Sequence, residues 1–201
     1  MHQLITILVQ AHTEDEALSS AQSALDTLVG IGFDNAPIFD YYHTFDERDA
    51  RFKRTVAKAI GAIDEDSTNT ESVEVPAVFS LNTPEGEALL DHMQSVQQGK
   101  FEEAFETVKE KLEELTVGEV MNDVDGARYH LSKLTEYQGP SVSIYDEFGS
   151  GLLAPRKVAD YTDRLQKSSV ASDGGTPVAT STPSEDDQPL RGWIVPADVH
   201  Y

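Results

Sequence analysis

Residues 5–32 read ITILVQAHTEDEALSSAQSALDTLVGIG, and the change of period within this stretch decides the fold class. Ile5, Ile7, Val9 and Ala11 alternate with Thr6, Leu8 and Gln10, the two-residue repeat of a strand. Thr13 followed by Glu16 forms a capping box, and Leu18, Ala21, Leu25, Leu28 and Val29 then return at helical spacing until Gly30 and Gly32. A strand therefore leads directly into an amphipathic helix.

Working outward, Ile38 to Phe45 is rich in aromatic and β-favouring residues and completes a βαβ-type (ferredoxin-like) opening. Phe52, Val56, Ile60 and Ile63 predict a helix. Val73, Val75, Ala77, Phe79 and Leu81 alternate as a strand, with Pro76 pointing to an edge. Thr83-Pro84 opens a helix reaching Gly99, and Phe101, Ala104, Phe105, Val108, Leu112 and Leu115 form the stripe of another, opposite a face of Glu and Lys. Thr116 and Glu119 repeat the capping-box signature, and Ala127 to Glu136 predicts a further helix.

After Gly139-Pro140, Val142 and Ile144 predict a strand in a hairpin with Leu152-Leu153, and Pro155 opens a helix with Val158, Tyr161 and Leu165 inward. Ser168 to Pro189 is too poor in large aliphatic residues to build a core. The expected organisation is one α+β domain over residues 1–167, a flexible linker over 168–189, and a C-terminal strand over 190–201. The sheet is expected to be mixed or antiparallel, with a helical middle section. The tethered strand is expected to dock on its own domain or on a neighbouring copy.

The chain carries 36 acidic against 15 basic residues, a formal charge of -21. Residues 1–100 hold 17 acids and 6 bases and residues 101–201 hold 19 and 9, so the charge is not an acidic tail. Carboxylates spread over foldable segments repel one another, and molar counterions screen that repulsion within a few ångström. Potassium or another counterion at high concentration is the expected environment. The absence of cysteine excludes disulfides, thiolate metal sites and thiol nucleophiles. The first residues lack the basic region of a secretion signal, and Leu4 to Val9 is too short to cross a membrane, so a cytoplasmic location without membrane contact is expected.

Low lysine, abundant Asp and Glu, no cysteine, a short βαβ opening and a terminal strand containing the only Trp together resemble the uncharacterised acidic proteins of halophilic archaea and their tailed viruses. The resemblance implies a high-salt habitat, with the host cytoplasm or the virion as the location if the origin is viral. It brings no function-bearing motif.

Asp123-Val124-Asp125-Gly126 fails as a calcium loop, because aligning Gly126 with the loop's glycine puts Met121 and Ser132 at ligand positions; it reads as a helix-ending turn. His2, His12, His43, His92, His130 and His200 show no metal-pair spacing, so no metal and no cofactor is expected, although His12 and His43 would meet if their strands paired. No nucleophile elbow, Walker lysine or dinucleotide fingerprint occurs. Asp40, Tyr42, His43 and Asp46 form the densest group of chemically capable side chains, at the end of a predicted strand. Arg48, Arg51 and Arg54 lie in a basic helix predicted over 48–58 and are candidates for phosphate or partner contacts. Trp193, Val195 and Tyr201 are candidate interface residues.

These features favour a small non-enzymatic accessory or assembly protein acting through protein contacts or self-association. The alternatives are a nucleic-acid-related protein, using the basic helix or carboxylates that mimic DNA, and an enzyme with a site near Asp40 to Asp46.

Overall fold

A computed structural model describes residues 1–31, 37–48, 50–64, 73–135, 143–148, 159–164 and 189–201. The chain divides into two compact units, Met1–Gln94 with Val142–Tyr201, and Ser95–Ser141.

In the first unit the alternating residues form β1, His2–Ala11. Thr13 then caps α1, Glu14–Leu28, its hydroxyl accepting from the Glu16 amide at 3.3 Å, while the Glu16 carboxylate accepts from the His12 amide at 2.8 Å. Glu14, Asp15 and Glu16 place negative charge at the positive end of the helix dipole. Gly30, at φ 79°, takes the left-handed conformation that ends α1. Ile38 and Phe39 both donate to the Leu28 carbonyl, at 2.8 and 3.2 Å. That duty keeps them out of the following strand, so β2 is Tyr41–Thr44 and shorter than the aromatic run predicted.

The terminal strand β5, Arg191–His200, is the centre of the sheet. It pairs antiparallel with β1 along ten residue pairs, from His2 opposite His200 to Ala11 opposite Arg191. Its other edge is shared: β2 pairs antiparallel with residues 197–200, and β3, Phe79–Ser80, pairs antiparallel with Ile194 and Trp193. β4, Ile144–Asp146, runs parallel to β1 on the far side. Because β1 and β2 are each antiparallel to β5, they are parallel to each other with β5 between them. The βαβ opening is thus a split unit whose gap the last strand fills, and the sheet is mixed, as expected.

The residues around Val73 to Leu81 contribute a strand of only two residues. β2 already occupies the Ala197–His200 part of that edge, and Pro76 has no N–H to extend the ladder. Ile144 joins β1 directly, while its predicted partner Leu152-Leu153 lies outside the described residues, as do 168–188 of the predicted linker.

Alternation divides the sheet into two faces. Ile5, Ile7, Val9, Trp193, Val195, Ala197 and Val199 pack on one face beneath Ala17, Ala21, Ala24, Leu25 and Leu28 of α1, where alanines permit close approach. On the other face Leu8, Ile144, Ile194 and Phe79 meet Val56, Leu89, Met93 and Tyr161. Val56 belongs to α2, Lys53–Ala59, and Tyr161 to a helical turn over 159–164.

Leu89 and Met93 belong to α3, Pro84–Glu114, which is one helix of 31 residues where two were predicted on either side of Gly99. A single glycine costs a helix only about 1 kcal/mol, too little to break it. The second unit comprises the rest of α3 with α4, Val117–Asn122, and α5, Ala127–Thr135. Thr116 and Glu119 form the predicted capping box. Asp123, at φ 52°, ends α4 as predicted, and the Arg128 guanidinium donates to the carbonyls of Val120 (3.0 Å) and Met121 (2.7 Å). Among the described residues no helix is long and apolar enough to cross a membrane.

Candidate functional site

Two places collect groups beyond what folding requires. The first is the end of the sheet where β1 begins and β5 finishes. Residues 198 and 200 share a face of β5; His2 and Tyr41 are register partners of His200, and His43 is the register partner of Asp198. Three strands therefore deliver three imidazoles to one patch.

Asp198 is its buried anchor, with a side chain fully shielded from solvent. Its carboxylate lies 2.8 Å from His2 Nδ1 and accepts the Arg51 backbone N–H at 3.1 Å. A carboxylate only accepts, so the ring nitrogen that faces it, Nδ1, is the donor. His200 Nδ1 lies 3.1 Å from Asp40 Oδ2, and its ring stacks on Tyr41 at 4.9 Å and 10°. His43 Nδ1 lies 2.6 Å from Glu47 Oε2, and its ring meets Tyr41 edge-on. Each imidazole is thus oriented by its own carboxylate. Among the described residues no group of three or more His, Asp or Glu could hold a metal ion.

The expected patch is divided by the pleat of β2. His43 belongs to the cluster, whereas Tyr42 faces α1 and donates to Asp26 Oδ1 at 2.8 Å; Asp40, which precedes β2, joins the cluster through His200. Burial, and then the hydrogen bond to Asp26, push the Tyr42 phenol well above its ordinary pKa. Asp46 is exposed in the turn after β2. His12 and His43 do not meet, because β5 separates their strands.

The basic helix expected over 48–58 contracts to α2, because Phe52 at φ 54° precedes its first turn. Arg54 lies in α2, while Arg48 and Arg51 fall before it, so the three arginines do not share a helix face. Trp193 and Val195 are core residues and not an exposed interface: the Trp193 indole donates to the Ala11 carbonyl at 3.0 Å, and Val195 is completely buried. Tyr201 is 44% exposed. The grouping of His2 with Asp198 and His200 escaped sequence reasoning because 196 positions separate His2 from Asp198. The signal available was the polar residues ending a terminal strand of otherwise apolar alternation.

The second place is the helical unit. Phe105 is 65% exposed and Leu112 49% on α3, Val117 78% and Met121 69% on α4, and Tyr129 62% on α5. Close by, Lys111, Glu114, Leu115, His130, Lys133 and Leu134 line a cleft of about 250 Å³. Lys111 bridges Glu114 at 2.7 Å, which raises the lysine's pKa above its ordinary value. Leu115, just past the end of α3, is half-buried, and Leu112 is the last exposed apolar residue of that helix.

A family model for a domain of unknown function matches residues 1–172, a segment holding every strand of the sheet except β5. No curated protein and no solved structure matches the chain.

Proposed function

Starting from a chain that belongs to the family described as Domain of unknown function (DUF7995), we propose that this protein is a small accessory or assembly protein that works through protein contacts made by its helical unit. The observation that carries this reading is the exposure of Phe105, Leu112, Val117 and Met121 on a chain whose formal charge is -21. Water-facing side chains of this size cost solubility without serving the core, and contiguous patches of them mark interaction surfaces. The sheet unit contrasts with it, since β5 has already buried Trp193 and Val195 within the same chain.

The working medium belongs to the same proposal. Evenly spread carboxylates suit a cytoplasm rich in potassium, as in a halophilic archaeon or a cell infected by its virus, because screening removes their repulsion while molar salt strengthens apolar contacts.

Chemical crosslinking in host extract at molar KCl tests the reading. Species heavier than the chain are expected with the native protein and are lost with Phe105→Glu and Met121→Glu, whose circular dichroism stays native. Equal yields of heavy species from native and substituted chains would overturn it.

A further inference from the structure

We infer that the stripe on α3 pairs with the same stripe of a second copy, running antiparallel, as the contact through which this protein assembles. The inference rests on the protein-contact reading above and names its partner. Phe101, Phe105, Val108 and Leu112 follow one another at spacings of four, three and four, the a and d positions of a heptad. Phe105 and Leu112 are exposed, and Phe101 and Val108 are half-buried.

Orientation follows from size and charge together. Inverting one helix sets Phe105 against the partner's Val108 and Phe101 against the partner's Leu112, so every layer joins an aromatic ring to an aliphatic side chain and the series repeats across a two-fold axis. A parallel pair would stack Phe105 on the partner's Phe105 and leave uneven layers. Glu102 and Lys109 both occupy the e position, and e faces e in an antiparallel pair. Glu102 then lies beside the partner's Lys109, twice per dimer. In a parallel pair the e positions would face Gln97 and Ala104 at g, so no opposite charges would meet.

Lys109 can make this exchange. Its bond to Glu106 within the same helix is 3.2 Å long, and both side chains are more than half exposed, so little is lost by giving it up. An isologous contact of this kind closes at two copies and does not run on into a filament.

The test uses the purified full chain in molar KCl. Light scattering should give twice the chain mass, falling to the chain mass with Phe105→Glu. The protein has no cysteine, so Glu102→Cys and Lys109→Cys each introduce a single thiol. With a short bismaleimide, mixing the two variants should give far more crosslinked dimer than either variant alone. Glu102→Lys should weaken the dimer by on the order of tenfold, and Glu102→Lys combined with Lys109→Glu should restore it. A purified chain that stays monomeric overturns the second copy as partner; heavy species in extract that still depend on Phe105 would then leave the protein-contact reading standing. A dimer whose crosslinks form equally well within one variant, or that the double reversal fails to restore, overturns the antiparallel arrangement.

Discussion

His2 Nδ1 lies 2.8 Å from Asp198 Oδ1 across the β1–β5 ladder, on the diagonal between neighbouring register pairs, and the carboxylate it meets is wholly buried. This contact ties the first residues of the chain to the last. A buried carboxylate is tolerated only when its oxygens are satisfied, and the Arg51 amide satisfies the other one.

Asp198→Ala leaves His2 and the Arg51 amide without their acceptor and should cost on the order of 2 to 4 kcal/mol of stability. Asp198→Asn keeps an acceptor oxygen and should cost less. Denaturant unfolding in molar KCl checks the order of the two; an alanine variant as stable as the native chain would show the contact to be idle.

Removing β5 should abolish the sheet unit. A chain ending at Gln188 leaves β1 without its ten paired residues and β2 and β3 without any partner strand. Loss of the strand signal and of cooperative melting is the expected result by circular dichroism. A truncated chain that melts cooperatively near the native temperature would contradict the central place of this strand.

Two glycines of α3 should respond in opposite directions. A Cβ on Gly86 would meet the Ser80 carbonyl oxygen at 2.0 Å, where the helix start is pressed against β3, so Gly86→Ala should destabilise by about 1 to 3 kcal/mol. Gly99 is exposed with open space around it, and Gly99→Ala should stabilise by roughly 0.5 to 1 kcal/mol by restricting the unfolded chain. Paired thermal melts of the two variants decide this.

Alkaline unfolding should report Tyr145. Burial against the α1 face raises its phenol from 10.0 to about 12. The unfolded chain loses that proton first, so stability is fully present below pH 10 and falls as pH rises toward 12, by on the order of 2 kcal/mol. Tyr145→Phe should flatten the fall over this window, read from urea midpoints at successive pH values. An unchanged slope would assign the alkaline loss to other groups.

Much of the fold was legible because local chemistry agreed with tertiary need. The capping residues Thr13 and Thr116, the alternation of β1 and the helical stripe of α1 each act within a few residues. The alternation from Val73 to Leu81 yields only the two-residue β3, since alternation reports burial on two faces but not whether a partner edge is free. The candidate patch was half legible: Asp40 and His43 stand in the cluster, but their chief neighbours His200, Asp198 and His2 come from opposite ends of the chain.

By itself the sequence determined the α+β class, the positions of most helices and strands, the charge of -21 and the absence of thiol chemistry, because each depends on composition or on periods shorter than a helical turn. The tertiary structure alone decided that the last strand is central, that Trp193 and Val195 are core, that Phe105 and Leu112 face water, and that three histidines gather around Asp198. Those outcomes depend on which strand edges remain unpaired once β1 and β2 are placed, and strand register joins residues about two hundred positions apart that no local pattern connects.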